Sequence, residues 1–292
     1  MPRHPLPLLL SLMTLLCAAP GVSQAADPAV AERPPATPIR ASKIILVGDS
    51  TTAVQGGWGP AFCSDHVTSF AACLNLARGG RSTYNYRAEG SWTLVEAEMR
   101  TPGYVATWVL IQFGHNDQPG KPGRSTDLQR EFPDNLRRYV AEVRAAGAQP
   151  VLLTPLTRRQ FAQGELIDDL APWAEAIRAV GAELDVPVVD LHARSRALVQ
   201  AQGPVAAMRM AQAPASQAQV IAALQGTTVD AAAGATPAAS AAQQAALVEP
   251  MGQAKRAFDY THLGEEGART FASVVAAELA RQVPALRPLL LP

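Results

Sequence analysis

A serine hydroxyl is a weak nucleophile until a base takes its proton, so the placement of histidines bears first on what this chain can do. It has five. One of them, His262, closes Asp259-Tyr260-Thr261-His262. An aspartate three residues before a histidine, on one tight loop, can hold one ring nitrogen and fix tautomer and orientation. The other nitrogen is then free to act as a general base. The candidate nucleophile is Ser50 in Gly48-Asp49-Ser50-Thr51, where Gly48 allows the backbone to turn without a Cβ clash. Gly-Asp-Ser alone is a weak signal, because Asp49 or Ser50 capping a helix would explain it equally well.

Two further clusters change that balance. In Gly79-Gly80-Arg81-Ser82 the adjacent glycines let a main-chain N–H face a ligand closely. In Phe113-Gly114-His115-Asn116-Asp117 the Asn116 carboxamide can point into the same crevice. Seen singly, these are an ordinary turn and an Asx turn. An Asp-x-x-His is also half of a metal site. His66, His115 and His192, however, stand at no supporting ligand spacing, and no metal is expected. Nucleophile, glycine donor, amide donor and Asp/His pair in one chain make the constellation that acyl transfer needs.

The elements that must position these residues are legible as hydrophobic patterns. Lys43–Val47 is a continuous apolar run expected of a strand buried on both faces. Leu74–Leu76, Thr107–Gln112, Val151–Thr154 and Val186–Asp190 predict four more strands, the last with Pro187 near an edge or strand start. The first three candidate clusters each follow a predicted strand. Between the strands, Leu136, Tyr139, Val140 and Val143 mark one face of a helix ended by Gly147. Trp173–Leu184 reads as a helix introduced by Pro172, and Phe271, Val274, Val275 and Leu279 give a last helix. Alternating strands and helices imply a parallel sheet covered on both faces, an α/β fold in one domain. Ligands bind such sheets beyond the strand C-termini, where a helix following Ser50 would also present its N-terminal N–H groups.

One stretch breaks the pattern. Residues 201–250 hold 19 alanines and only Arg209, Asp230 and Glu249 as charges. They read as an insertion, partly helical over Val205–Leu224 and loose from Gln225 to about Gln244.

At the other end, Arg3 and His4 precede an uncharged apolar run, Leu6–Ala18, and Ser23-Gln24-Ala25 fits a signal-peptidase site. A buried N-terminal helix is the alternative. Residues 1–25 are therefore expected to direct export to periplasm or medium, and 26–42 to form a flexible leader before the domain at 43–292. In an oxidising compartment Cys63 and Cys73 are expected to pair, two separate buried thiols being the alternative. Acidic and basic residues balance at 25 each, which argues against a nucleic-acid or membrane-surface binder.

The four clusters together resemble the SGNH/GDSL hydrolase superfamily, and within it the rhamnogalacturonan acetylesterases, a carbohydrate esterase group. The texture around them agrees, including Arg87-Ala88-Glu89-Gly90 and Thr154-Pro155-Leu156-Thr157-Arg158-Arg159. The resemblance runs from about Lys43 to His192 and resumes at about Phe258; the Ala/Gln-rich stretch departs from it. It implies a flavodoxin-like three-layer α/β/α sandwich on a five-stranded parallel sheet. It also implies Ser50 as nucleophile, His262 as base, Asp259 as its orienter, and an oxyanion hole of Ser50 N–H, Gly80 N–H and the Asn116 side chain. No cofactor is implied, and the expected partner is an acetylated polysaccharide acted on by a monomer, with no membrane association after signal removal.

A pectic chain carries galacturonate carboxylates, and Arg78, Arg81, Arg87, Arg158 and Arg159 lie in or near the predicted crevice loops. Arg81, His115 and Arg158 are the residues expected to touch substrate, although solvated surface groups account for most such arginines. Trp58 and Trp92 are either sugar-stacking faces or core. The alternatives in function are an SGNH esterase of other specificity (xylan or exopolysaccharide deacetylase, arylesterase, thioesterase, lysophospholipase) or a non-catalytic carbohydrate-binding protein.

Overall fold

A computed structural model of the protein describes residues 38–228 and 256–292. The expected signal peptide, most of the leader and residues 229–250 of the expected insertion lie outside the described residues. Five parallel strands form the central sheet: β1 (Ser42–Gly48), β2 (Ala71–Asn75), β3 (Thr107–Gln112), β4 (Gln149–Leu153) and, after a short antiparallel hairpin of β5 (Phe161–Ala162) and β6 (Glu165–Leu166), β7 (Val188–Val189). The sheet order is β2-β1-β3-β4-β7, the flavodoxin-like arrangement whose order reverses between β1 and β3. The expected five-stranded parallel α/β fold is therefore present.

The apolar runs behave as strands buried on both faces must. Side chains alternate with a period of two, so Ile44 and Leu46 of β1 join one core while Ile45 and Val47 join the other. Leu110 divides from Val109 and Ile111 in β3 in the same way, and Val151 and Leu153 from Leu152 in β4. One face is covered by α6 (Leu191–Ala207) and α8 (Glu265–Gln282), which contribute Val199, Phe271, Val275 and Leu279. The other is covered by α3 (Ser91–Met99), α4 (Glu131–Ala145) and α5 (Ala171–Leu184), through Trp92, Val95, Leu136, Tyr139, Trp173 and Ile177. Three shorter α-helices, α1 (Gly59–Ala61), α2 (Asn85–Ala88) and α7 (Gln217–Leu224), stand beside these among the described residues.

Several boundaries differ from expectation. The fifth strand is only Val188–Val189, registered on Leu152 and Leu153, because Pro187 has no N–H to pair and Asp190 instead caps α6. Residues 201–228, expected to be partly helical over Val205–Leu224, do carry α7 there and also pack onto the domain. Gly203, at φ 74°, and Pro204 kink α6, and beyond the kink Ala207 and Met210 enter the core. The chain then passes through α7 and returns to the hairpin, where Gly226 O accepts from Gly164 N at 2.7 Å and Thr228 N donates to Phe161 O at 2.9 Å. Cys63 and Cys73 are joined in a disulfide, their Cα atoms 5.5 Å apart, which ties the π-helical turn Phe62–His66 to the edge strand β2.

Candidate active site

Ser50 stands two residues past β1, 8 % exposed, at the edge where the sheet order reverses. No regular helix follows at once. A single turn, with Thr52 and Ala53 N–H donating to Asp49 O at 3.2 and 3.0 Å, leads through further turns to the three-residue α1. The helix N-terminus expected beside Ser50 is thus absent, and side chains do the fixing. Asp49 Oδ1 accepts from Thr51 N and Thr51 Oγ1, both at 2.8 Å. Gln112, at the end of β3, accepts from Thr52 Oγ1 (2.5 Å) and Trp58 Nε1 (2.7 Å) and donates to Thr51 Oγ1 (3.1 Å). A side chain at Gly48 has no space: a Cβ there would lie 2.6 Å from Gln112 O. Burial alone would raise the Asp49 carboxyl, but His115, with Nδ1 at 3.4 Å, and the Thr51 bonds outweigh it and hold the group below its ordinary value.

The loop after β2 lies against this serine. Arg78 N donates to Gly48 O at 2.9 Å, and a Cβ on Gly79 would stand 3.7 Å from Ser50 Cβ. Gly80 has φ 77°, a left-handed conformation that glycine adopts without strain. The loop after β3 is stitched to it. Asn116 Nδ2 donates to Arg81 O at 3.0 Å, and Asp117 Oδ1 accepts from Thr83 N and Oγ1 at 3.0 and 2.6 Å. One N–H of the Asn116 amide is engaged in that bond, and a carboxamide has two. Arg124 Nη1 donates to Asn116 Oδ1 at 3.3 Å, which selects the amide orientation with nitrogen toward Arg81.

The Asp/His pair arrives from the C-terminal side. His262 Nδ1 and Asp259 Oδ2 are 2.7 Å apart, and Asp259 Oδ1 accepts from Thr261 N (2.7 Å) and His262 N (2.6 Å). Burial works to raise the Asp259 carboxyl; the bonds and charge from His262 outweigh it, and the group sits below its ordinary value. With Nδ1 donating to a carboxylate, Nε2 is left as the acceptor. The loop is docked on the loop that carries Ser50: Leu263 N donates to Gly56 O at 2.8 Å, and a Cβ on Gly56 would lie 3.3 Å from His262 Cβ and Cδ2. The same Cβ would lie 2.7 Å from Gln212 Nε2, so the segment after α6 packs beside Gly56. The structure thus brings all four clusters to one end of the sheet.

The residues expected to touch substrate each have protein partners. Arg81 is buried and its Nε holds both Glu89 oxygens, at 2.8 and 2.9 Å. His115 is buried beside Asp49, with Lys121 Nζ donating to its carbonyl. Arg158 donates to Asp169 Oδ2, Thr261 Oγ1 and Gln118 Oε1 at 3.0, 2.7 and 2.7 Å. Arg87 pairs with Glu142 of α4 at 2.8 Å, and Arg159 is buried against the Asp259–His262 loop. Trp58 and Trp92 are buried, their indole N–H groups committed to Gln112 and Glu142, so neither offers a stacking face. Gln112 and Arg124 were not singled out from sequence. Gln112 is detectable as the one polar residue ending an apolar strand, whereas nothing local marks Arg124.

The arrangement suits acyl transfer: a serine at a strand end, N–H donors on two adjoining loops, and an oriented histidine on a third. Residues 46–209 match the GDSL-like lipase/acylhydrolase family. Among similar proteins of Bacillus subtilis (strain 168), the rhamnogalacturonan acetylesterase RhgT is 36% identical over 176 residues, covering 58% of this chain and 72% of its own. The probable rhamnogalacturonan acetylesterase YesY is 32% identical over 170 residues, covering 56% and 76%. The crystal structure of the Bacillus subtilis protein YxiM superposes with a TM-score of 0.58 at 21% identity, over 84% of this chain and 58% of that one, a likeness of fold. The chain belongs to the GDSL-like lipase/acylhydrolase family and is a carboxylic ester hydrolase.

Proposed function

We propose that this esterase is exported and removes O-acetyl groups from pectic polysaccharide of the rhamnogalacturonan type, using Ser50, His262 and Asp259. The observation that carries the reading is the Asp259–His262 pair, 2.7 Å apart, on a loop bonded to Gly56 of the nucleophile loop. The names borne by the 32% and 36% identical relatives support the acetyl and pectic assignments. Ser50 Oγ attacks the acetyl carbonyl carbon while His262 Nε2 takes its proton. The oxyanion is held by the N–H groups of Ser50 and Gly80 and the second N–H of Asn116. Collapse returns the proton from His262 to the departing sugar oxygen and leaves an acetyl group on Ser50. Water, deprotonated by the same histidine, then releases acetate and restores the serine.

Acetate release from acetylated rhamnogalacturonan and acetylated xylan, compared between the wild-type protein and Ser50→Ala, tests this. Release from the pectic substrate, abolished in the variant, is the expected outcome. Release from xylan alone would keep the serine and overturn the pectic assignment. Equal release by Ser50→Ala would overturn the mechanism.

A further inference from the structure

The loop bearing the Asp/His pair has no helix or strand from Arg256 to His262. Its internal bonds, Asp259 Oδ1 to the amides of residues 261 and 262, orient histidine relative to aspartate. They do nothing to place the pair relative to Ser50. On the C-terminal side, Leu263 N and Gly264 N are held by Gly56 O and Met210 O, both at 2.8 Å. On the carbonyl side one residue does the holding. Arg159 is 1 % exposed; its N–H donates to Tyr260 O at 2.8 Å, Nη1 to Thr261 O at 3.2 Å, and Nη2 to Asp259 O at 3.0 Å and His262 O at 2.8 Å. Four consecutive carbonyls, 259 through 262, therefore converge on residue 159.

Burying a guanidinium is costly unless its donors are satisfied, and a planar fork can meet several carbonyls in one fixed geometry where an ammonium cannot. Burial pushes Arg159 down to about 10, with Asp259 acting the other way, which leaves it charged at neutral pH. The preceding residue continues the pattern. Arg158 Nη1 donates to Thr261 Oγ1 at 2.7 Å, while Nη2 reaches Gln118 and Nε reaches Asp169. Gln118 lies two residues beyond Asn116, so this side chain joins the histidine loop to the loop of the amide donor.

We propose that Arg159 is a positioning residue for the general base, its buried guanidinium locking the backbone of residues 259–262 so that His262 faces Ser50, with Arg158 bracing the same loop through Thr261. The proposal rests on the triad assigned above. It differs from the expectation that such arginines bind substrate, and the two roles separate in kinetics. A substrate arginine acts on KM, whereas a residue aligning nucleophile and base acts on kcat. A displacement of the base by about 1 Å is worth on the order of 10²-fold in rate.

The experiment uses the full chain and the neutral ester 4-nitrophenyl acetate, with Ser50→Ala and His262→Ala as controls. For Arg159→Lys, kcat should fall about 10²-fold with KM little changed, and reaction of Ser50 with a fluorophosphonate should slow in parallel. In Arg159→Ala, added guanidinium ion at millimolar concentration should restore part of kcat, and methylammonium should not. Thr261→Val, which removes only the Arg158 bond, should lower kcat about tenfold, the worth of one hydrogen bond to a charged group. If the Arg159 variants do not fold, Thr261→Val decides alone. Wild-type kcat in folded Arg159→Lys, a loss confined to KM, or, where Arg159 variants do not fold, wild-type kcat in Thr261→Val would overturn the proposal. Retained activity in His262→Ala would instead overturn the triad on which it rests.

Discussion

At the scale of single residues, Asn116 and Asp117 are neighbours in sequence with separate tasks. Asn116 presents an amide whose oxygen is held by Arg124 and whose nitrogen has one N–H to spare. If that N–H meets the oxyanion, Asn116→Ala should fold normally and lose on the order of 10²–10³ in kcat, read by steady-state kinetics beside a circular-dichroism melt. Asp117 is fully buried, and burial lifts its carboxyl to about 7 against the bonds from Thr83 and Thr126, with the nearby Asp49 charge adding to the rise. The native state therefore keeps a proton that the unfolded chain has released above about pH 4. This contribution to stability is complete below the unfolded value, declines as pH rises, and is gone above about pH 7. Urea midpoints across that range should fall with pH in the wild type, and fall less in Asp117→Asn, which keeps the neutral side chain at every pH. An identical slope in both proteins would show that Asp117 ionises normally in the fold.

At the scale of elements, the strand ends matter more than the helices. The loops after β1, β2 and β3 and the loop before α8 are bound to one another, through Gly48, Gln112, Arg81 and Gly56. Those bonds substitute for the helix N-terminus that does not follow Ser50. The outer strand β2 is tied back by the Cys63–Cys73 disulfide, with a sequence separation of 10. Replacing both cysteines by serine should cost about 2–3 kcal/mol, as expected for so short a loop, in a urea titration of oxidised wild type against the double variant. Activity at ambient temperature should persist, because the bridge sits below the sheet edge that carries Ser50. Much of this was legible beforehand. The long apolar runs of β1 and β3 needed no partner to be recognised, since both faces are buried. The place of β7 was legible in Val186–Asp190; its two-residue length and the hairpin were not, because pairing defines them rather than pattern. The helix α3 carries Trp92, Val95 and Met99 at helical spacing and was readable in principle.

At the scale of the whole molecule, acidic and basic residues balance, so attraction of the anionic polymer proposed as substrate would have to be local. Of the five arginines near the predicted crevice loops, four are held by protein partners, as described above. Arg78 is held more loosely: its side chain is 44 % exposed, pairs with Glu89 at 3.9 Å and donates to Ser91 Oγ at 3.2 Å, and its main chain sits on Gly48 at the end of β1. Arg78→Gln should raise KM for an acetylated galacturonate-containing substrate about threefold, the worth of one exposed ion pair. It should leave KM for 4-nitrophenyl acetate unchanged, and the difference should vanish at high salt. An equal rise on both esters would place Arg78 in the fold's support.

The sequence by itself determined the α/β architecture, the order of the four clusters and the strand ends that carry three of them. These depend on period, turn chemistry and residue type, which are local properties of a chain. Tertiary structure alone decided which charged groups face each other. Arg81, Arg158 and Arg159 look in sequence like donors for a substrate carboxylate, and only packing reveals Glu89, Thr261 and four loop carbonyls as their partners. It likewise decided that Ala207 and Met210 belong to the core although they open an alanine-rich stretch. A buried polar group must be satisfied, but nothing in the neighbouring residues says by whom, because the partner can lie about a hundred residues away, as Asp259 and His262 lie from Arg159.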